Sequence, residues 1–401
     1  MLRLMSFIGL ISMMVIAWLI SNNRKKMDWR VIGGGLFLQF LLALFILKTS
    51  MGMFLFEKAK TAVDALISMS DEGAKFVFGA NFTEHFFAFK VLPTIIFVSS
   101  LTYMLFYWGV IQKVVNWMAW IMNKVMGISG AESLVTAANV FCGQTEAPFF
   151  IKPYLKTMTR SEIMCMMTGG MATVSGSILA AYVGFGVSAG HLLAASIMSA
   201  PAAILIAKII YPETEVSPTM GHVDVKIEMD EVNTFEAACK GATDGLKLAL
   251  NVATMLIAFI ALIALANKGL NWVVGHFGYE TSLESILGVL FMPFAFLMGV
   301  PWEECAKVGQ LLGTKTIINE FIAYDQLGKM ISSGQLSQRS ITIVTYALCG
   351  FANFASIAIQ IGGIGSLEPS RRKDFAKVGL KSMIGGTLAA FMTACIAGIL
   401  I

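Results

Sequence analysis

The chain contains eight apolar runs that are long enough, or nearly long enough, to cross a bilayer. A transmembrane helix needs about 20 apolar residues, because a rise of 1.5 Å per residue must cover roughly 30 Å of hydrocarbon. The runs are residues 4–20, 31–48, 91–111, 161–183, 190–210, 246–266, 338–361 and 378–400. The sequence therefore predicts an all-α polytopic membrane protein with eight transmembrane helices.

The composition argues against a soluble enzyme and against a nucleic-acid-binding protein. Of the 401 residues, 57% are hydrophobic and 13% are charged, whereas soluble domains have roughly 25% charged residues. A surface this apolar must face lipid rather than water. The net charge of +4 is small and arises from cationic loops, so it informs the topology and predicts no nucleic-acid partner.

Basic residues in two short loops orient the predicted spans, because cytoplasmic loops are enriched in Lys and Arg. The basic residues that follow the first span or precede the last are Arg24, Lys25, Lys26, Arg30, Arg371, Arg372, Lys373 and Lys377. Both loops are predicted to be cytoplasmic, which places both termini outside. The acidic loop 212–236 does not change this orientation, because acidic residues contribute little to it.

Three apolar segments are predicted not to span the membrane. Residues 54–66 and 114–126 each have one apolar helical face, which is typical of interfacial helices. Residues 286–300 are too short to cross and are interrupted by Pro293. These segments add no membrane crossing, so they do not change the predicted topology.

Two further segments, 132–156 and 301–330, are predicted to be re-entrant hairpins. Both are moderately apolar, and Gly, polar and acidic residues interrupt them. The interruptions are residues 143–148 in the first hairpin, and Gly313-Thr314-Lys315 followed by Asn319-Glu320-Phe321 in the second. Each hairpin precedes an apolar helix with a polar centre, at residues 171–177 and 351–356 respectively. A hairpin followed by a broken helix, found twice, is typical of an inverted-repeat transporter with a site near mid-membrane.

This pattern divides the chain into four parts. Residues 1–111 are predicted to form three scaffold spans and an interfacial helix, and residues 112–211 the first repeat of a transport domain. Residues 212–285 contain the acidic cytoplasmic loop and a further scaffold span. Residues 286–401 form the second repeat.

Polar residues in the interrupted segments are the candidate site. Glu146 and Glu320 each lie in one hairpin interruption, where a carboxylate costs roughly 2.5–3.5 kcal/mol on the insertion scale. Each could bind substrate hydroxyl or amino groups, cap its own hairpin, or pair with a lysine such as Lys315. Asn353 and Ser356 are three residues apart, on one face of a helix, and could bind substrate or join helices by hydrogen bonds.

The residues alone predict a transporter rather than an intramembrane enzyme. No nucleophile–base pair, metal-binding cluster or Gly-rich phosphate loop accompanies the two carboxylates. Amide, carboxylate and hydroxyl groups together suit a polar, uncharged organic molecule. The predicted substrate class is therefore a neutral polyol-like solute that contains a base or ring.

Three motifs resemble those of the concentrative nucleoside transporter family. They are residues 143–148 (Gly-Gln-Thr-Glu-Ala-Pro), residues 313–324 (Gly-Thr-Lys-Thr-Ile-Ile-Asn-Glu-Phe-Ile-Ala-Tyr) and residues 349–357 (Cys-Gly-Phe-Ala-Asn-Phe-Ala-Ser-Ile). In the second motif Ile322 stands where the family usually has Val. The motifs occur in the family's order, and the likeness covers essentially the whole chain, including the eight-span layout of bacterial members.

The resemblance implies a homotrimeric, sodium-coupled symporter that imports nucleosides across the inner (cytoplasmic) membrane by alternating access. Uridine-like nucleosides are the implied substrates, with adenosine as a further candidate, and the 246–266 span is implied in the trimer contacts. The implied substrate-binding residues are Gln144, Thr145 and Glu146 for the nucleobase, Glu320, Asn353 and Ser356 for the ribose, and Ile178 and Phe351 as apolar walls.

The resemblance also implies a Na⁺ site. Asn139 and Thr173 would supply side-chain oxygens, and Cys142 and Val174 would supply backbone carbonyls. Thr173 stands where Ser is common and keeps the hydroxyl, and a carbonyl ligand does not depend on the Cys142 side chain. Proton-coupled relatives tend to lack the Asn and alter the Thr-Glu-Ala-Pro string, so its presence favours Na⁺. A proton-coupled nucleoside symporter is the alternative, followed by a passive channel and an intramembrane enzyme.

Overall fold

The computed structural model describes residues 1–221, 231–276 and 281–401, and every regular element in these ranges is helical. The α-helices are α1 (Leu2–Leu19), α2 (Trp29–Lys48), α3 (Ser50–Phe78), α4 (Leu92–Tyr107), α5 (Val110–Met126), α6 (Gly130–Ala138), α7 (Arg160–Ala172), α8 (Gly176–Gly184), α9 (Ala189–Ile210), α10 (Thr234–Gly275), α11 (Leu283–Leu297), α12 (Trp302–Ile317), α13 (Glu320–Ser332), α14 (Gln338–Leu348), α15 (Phe354–Leu367) and α16 (Arg372–Leu400). The predicted all-α fold is confirmed.

The eight predicted runs all fall on helices. Seven of them correspond to the helices of the described ranges that are long and apolar enough to cross a membrane. The eighth run, 338–361, is divided between α14 and α15, which have 11 and 14 residues. The run 161–183 is likewise divided, between α7 and α8. The two runs predicted to have polar centres are therefore the two broken helices.

The predicted span 246–266 is only the middle of a longer helix. α10 has 42 residues, which corresponds to about 63 Å at 1.5 Å per residue. The helix begins before the apolar run because its charged residues have partners: Asp244 accepts a hydrogen bond from the Tyr103 hydroxyl (2.8 Å) and pairs with Lys247 (2.9 Å). Of the predicted acidic loop 212–236, residues 222–230 lie outside the described residues.

Two segments predicted not to span differ from the prediction, one in its length and the other in being uninterrupted. α3 extends residues 54–66 in both directions and begins after Thr49, whose hydroxyl accepts the Gly52 N–H. The predicted interruption at Pro293 is wrong, because α11 runs through this residue. A proline removes one intrahelical hydrogen bond, which membrane helices tolerate. The chain turns instead after α11, where Gly299 has a φ of +89°, and α12 leaves at a bend of 118°.

Both predicted hairpins are present. Hairpin 1 consists of α6, the turn 139–146 and a 3₁₀ helix, Ala147–Tyr154. Hairpin 2 consists of α12, a break at residues 318–319 and α13. The predicted interruption at Gly313 is wrong: this residue lies within α12, where a Cβ would overlap the Leu287 side chain of α11. Gly313 is thus required for helix packing rather than for the break.

The two broken helices touch at their breaks. The α7–α8 break is residues 173–175, and the α14–α15 break is residues 349–353. Gly350 has a φ of +123°, and a Cβ at this residue would lie 2.6 Å from the Met171 carbonyl oxygen. Glycine is needed here for its backbone conformation and for the close approach of the two repeats.

The first and last helices are antiparallel neighbours. The Arg3 guanidinium donates two hydrogen bonds to the Ile401 carbonyl (2.9 and 3.2 Å), and the Lys381 ammonium donates to the Ile20 carbonyl (3.1 Å). Arg3 and Ile401 therefore lie at the same end of the helix bundle, as an even number of spans requires.

Gly350→Ala should lower the free energy of unfolding, because it combines a strained backbone, about 1–3 kcal/mol, with overpacking, about 1–3 kcal/mol. Gly362→Ala is the matched control, since a Cβ at this α15 residue would meet no atom of the described ranges within 4 Å. The control should be neutral or stabilising by up to about 1 kcal/mol. Thermal unfolding in detergent measures both, and equal melting temperatures would contradict the close approach of the repeats.

Candidate functional site

The turn of hairpin 1 places Gln144 and Thr145 against α15. Gln144 is buried, and its amide nitrogen donates to the Ser356 hydroxyl at 3.1 Å. Thr145 is half-buried, and its methyl group occupies the space that a Cβ on Gly363 of α15 would need. Hairpin 1 of the first repeat thus meets the second broken helix directly.

Glu146 behaves differently from its neighbours in the turn. It is exposed, and its Oε2 accepts the Gly143 N–H at 3.0 Å. Glu146 therefore caps its own hairpin, which is one of the alternatives that the sequence left open. The other carboxylate oxygen accepts no hydrogen bond from the described residues.

Glu320, the first residue of α13, is a buried carboxylate with two neutral donors. Its Oε1 accepts the Tyr182 hydroxyl (3.1 Å), and its Oε2 accepts the Asn353 amide (2.9 Å). Lys315 does not pair with it, because the Lys315 ammonium donates to the Ala347 carbonyl (2.9 Å). Buried charge needs such compensation, and here both α8 of the first repeat and the break of the second supply it.

Asn353 and Ser356 are joined as a helix cap, because Asn353 precedes α15 instead of lying within it. Both residues also make hydrogen bonds to other elements, one of the two predicted alternatives: Ser356 accepts from Gln144, and Asn353 donates to Glu320. Asn353 is the N-cap of α15, and its Oδ1 accepts the Ser356 N–H at 2.9 Å. The cap satisfies a backbone donor that the break would otherwise leave unpaired. It also fixes the Asn353 amide nitrogen towards Glu320.

The two predicted apolar wall residues lie beside the two breaks. Ile178 is buried in the first turn of α8. Phe351 is half-buried in the break between α14 and α15. Each repeat therefore contributes one apolar wall residue, which lies beside the break in that repeat's broken helix.

The predicted Na⁺ ligands lie where the turn of hairpin 1 meets the break after α7. Asn139 is 1% exposed and borders Gly169, where a Cβ would lie 3.3 Å from its Nδ2. The Thr173 hydroxyl donates to the Gly169 carbonyl (3.0 Å), so its oxygen lone pairs stay available. The Gly176 N–H bonds to the Phe141 carbonyl (3.2 Å) and ties the break to the turn.

These four residues fit a hard cation that prefers oxygen ligands. Neither side-chain amide atom of Asn139 has a hydrogen-bond partner among the described residues, and each unsatisfied buried group costs about 1–3 kcal/mol. The carbonyls of Cys142 and Val174 accept no hydrogen bond from the described residues. A cation bound by Asn139, Thr173 and these two carbonyls would satisfy the unpaired oxygens.

Two polar residues of this region were not predicted from the sequence. Tyr182 is fully buried in α8 and bonds to Glu320. Gln360 is fully buried in α15 and bonds to Gln144. The spacing of Ser356 and Gln360, four residues apart and thus on one helical face, was a usable signal for Gln360. Nothing comparable in the sequence indicates Tyr182.

Tyr182→Phe should lower the free energy of unfolding by about 1.5–3 kcal/mol, because it removes a hydrogen bond to a charged group. The matched control is Tyr324→Phe: this ring stacks on Tyr182 at 4.2 Å between centroids, but its hydroxyl donates to the neutral Thr345 carbonyl. The control should cost about 0.5–1.5 kcal/mol. Equal losses in thermal unfolding would contradict an ionised Glu320.

Three family models match successive parts of the chain. They are "Na+ dependent nucleoside transporter N-terminus" over residues 8–81, "Nucleoside recognition" over residues 88–189, and "Na+ dependent nucleoside transporter C-terminus" over residues 191–398. The last of these covers more than half of the chain.

Relatives and solved structures agree with these models. The chain is 46% identical to "Solute carrier family 28 member 3" of Mus musculus, with 99% of this chain and 59% of that protein aligned, so it spans about three-fifths of that relative's length. It is 44% identical to an "Uncharacterized transporter" of Haemophilus influenzae, with 99% of this chain and 98% of that protein aligned.

The fold closely matches that of CNTnw. The TM-score is 0.93 to CNTnw in an inward-facing substrate-bound state, at 39% identity over 100% of this chain and 98% of that one. It is 0.95 to a CNTnw variant in an outward-facing state, at the same identity and coverage. The likeness extends over the entire inverted-repeat fold, and the relatives are transporters rather than enzymes. The chain belongs to the Na⁺ dependent nucleoside transporter family, as its three motifs predicted.

Proposed function

We propose that this chain is a sodium-coupled symporter that moves nucleosides across the membrane by alternating access. The observation that best supports the proposal is the meeting of both repeats at one buried polar cluster. There Gln144 of hairpin 1 bonds to Ser356, and Glu320 of hairpin 2 bonds to Asn353. A carboxylate, two carboxamides and a hydroxyl can exchange these mutual bonds for bonds to a polar, uncharged substrate.

The chemistry of the cluster suits a nucleoside. Glu320 can accept hydrogen bonds from two adjacent ribose hydroxyls. The Asn353 amide and the Ser356 hydroxyl would fix the positions of these ribose hydroxyls. Gln144, Thr145 and the free oxygen of Glu146 would read the base edge. Ile178 and Phe351 would cover the faces of the ring system. Uridine is the substrate we propose to test first.

We propose that Na⁺ binds to Asn139, Cys142, Thr173 and Val174. A bound ion would order the turn that includes Gln144 and raise the affinity for nucleoside, and nucleoside must raise the affinity for Na⁺ by the same factor. One Na⁺ moving through 100 mV releases about 2.3 kcal/mol. This is enough for roughly 40-fold accumulation before any concentration gradient is counted.

The proposed architecture is a homotrimer in the cytoplasmic membrane, with both termini outside. Residues 112–211 and 286–401 would form the mobile transport domain, and residues 1–111 and 212–285 the scaffold. α10 packs chiefly against α4, also assigned to the scaffold. It exposes the large apolar side chains Leu246, Leu250, Ile257, Ile260, Leu262 and Leu265. Such a surface suits a neighbouring subunit and lipid.

Uptake of radiolabelled uridine into proteoliposomes tests the proposal. Accumulation above equilibrium should require an inward Na⁺ gradient and should not occur with equimolar choline. Accumulation driven only by a pH gradient would favour the proton-coupled alternative. Equilibration without accumulation under any gradient would indicate a passive channel, and release of free base and ribose would indicate an enzyme.

Glu320→Gln should reduce uridine uptake by about 100-fold or more, because it weakens two charge-assisted hydrogen bonds of about 1.5–3 kcal/mol each. Glu303→Gln is the matched control, since Glu303 is an exposed residue of the same hairpin and its variant should transport normally. Size-exclusion chromatography checks that both variants are folded. Normal uptake by Glu320→Gln would remove Glu320 from the site.

Asn139→Ala and Thr173→Val should each raise the Na⁺ concentration for half-maximal uridine binding by roughly 10-fold, equivalent to about 1.4 kcal/mol. Thr168→Val is the matched control, because Thr168 is a buried threonine of α7 whose hydroxyl has no partner in the part of the chain that the structure describes. That variant should keep the wild-type Na⁺ dependence. The measurement is equilibrium uridine binding titrated with Na⁺, and an unchanged midpoint in Asn139→Ala would exclude Asn139 as a ligand.

A further inference from the structure

Two buried glutamines from different repeats meet between hairpin 1 and α15. The amide nitrogen of Gln360, a residue with 0% exposure, donates to the Met167 carbonyl at 3.1 Å and to Gln144 Oε1 at 3.0 Å. The amide nitrogen of Gln144 donates onward to the Ser356 hydroxyl at 3.1 Å. The four residues form one continuous chain of hydrogen bonds that begins at the backbone of α7.

The direction of this chain is fixed by the group at its start. A backbone carbonyl can only accept, so the NH₂ group of Gln360 must face Met167. The second hydrogen of that NH₂ group then points to Gln144, whose carbonyl oxygen must face Gln360. The NH₂ group of Gln144 is thereby left facing Ser356. One main-chain carbonyl thus sets the orientation of both carboxamides.

We propose that Gln360 is a positioning residue that determines nucleobase selectivity by fixing the orientation of Gln144. This rests on the proposed function, in which Gln144 reads the base. In its fixed orientation Gln144 keeps one N–H and one oxygen lone pair for a ligand, and a turn of the amide would exchange their positions. A uracil edge offers the O4 acceptor where a cytosine edge offers the N4 donor, so the two bases require opposite arrangements.

The surroundings of Gln360 match this role. Gly170 provides the space in which the two glutamines meet, because a Cβ there would lie 2.7 Å from Gln360 Nε2 and 3.0 Å from Gln144 Cβ. Gln360 Oε1 has no hydrogen-bond partner among the described residues, so burying this amide is costly. Its contribution to the site is therefore the pair of hydrogen bonds that its NH₂ group donates.

The test is the ratio of the uridine and cytidine dissociation constants, measured in Na⁺. Gln360→Met keeps the length of the side chain and removes the donor, so Gln144 can adopt either orientation. The ratio should move roughly 3- to 10-fold towards the base that the wild type disfavours, as expected for one hydrogen bond. An unchanged ratio in a folded variant would overturn the proposal.

Gln360→Glu is the second variant, in case Gln360→Met does not fold. A carboxyl group has at most one donor and cannot serve both Met167 and Gln144, so the ratio should move in the same direction. The control is Gln39→Met. Gln39 is also fully buried and donates to the Met198 carbonyl (3.3 Å) and the Thr393 hydroxyl (3.2 Å). Its Oε1 likewise has no partner within the described ranges, but the residue lies in α2. Its variant should keep the wild-type ratio.

A double-mutant cycle separates positioning from direct contact. In a Gln144→Met background, Gln360→Met should produce no further change in the ratio. A shift as large as in the wild-type background would overturn the proposal, because Gln360 would then act without Gln144. If the wild type binds neither uridine nor cytidine, the proposed function itself fails. If the wild type binds them and Gln360→Met leaves the ratio of the dissociation constants unchanged, only the proposed role of Gln360 fails.

Discussion

The structure depends on a constraint of the bilayer: an opened helix leaves backbone groups unpaired, and lipid cannot satisfy them. The breaks in hairpins 1 and 2, α7–α8 and α14–α15 must therefore lie within the protein. Asn319 and Asn353 cap the helices that follow two of these breaks. Gly350 lets one broken helix touch the other. The same constraint that brings the breaks together also gathers their polar side chains into one buried cluster.

The proposed ion and substrate sites share two structural elements, which gives their coupling a physical basis. Asn139 and Gln144 belong to the same turn of hairpin 1. Two adjacent glycines of α7 line this turn, since Gly169 borders the Asn139 amide and Gly170 borders Gln144 and Gln360. A cation that fixes Asn139 against α7 therefore restricts the backbone that presents Gln144. Binding of either ligand would raise the fraction of molecules in which this turn is ordered for binding, as linkage requires.

Much of this arrangement was predictable from the sequence, because it follows from local patterns. Apolar length gave the spans, and Gly and acidic residues inside apolar segments gave the hairpins. What failed depended on tertiary packing. Gly313 favours a break in isolation, yet α12 runs through it because the Leu287 side chain of α11 packs against it. α11 runs through Pro293 because membrane helices tolerate the loss of one hydrogen bond. Tyr182 and Gln360 were missed because their partners are distant in sequence, and only the fold brings these pairs together.

In the proposed mechanism, Na⁺ binding and nucleoside binding are coupled through hairpin 1. The most direct measurement is the dissociation constant of uridine in Na⁺ and in choline at equal ionic strength, together with that of Na⁺ with and without uridine. Coupling through hairpin 1 predicts tighter binding in both comparisons by the same factor, roughly 5- to 150-fold. Identical uridine affinity in Na⁺ and choline would contradict it.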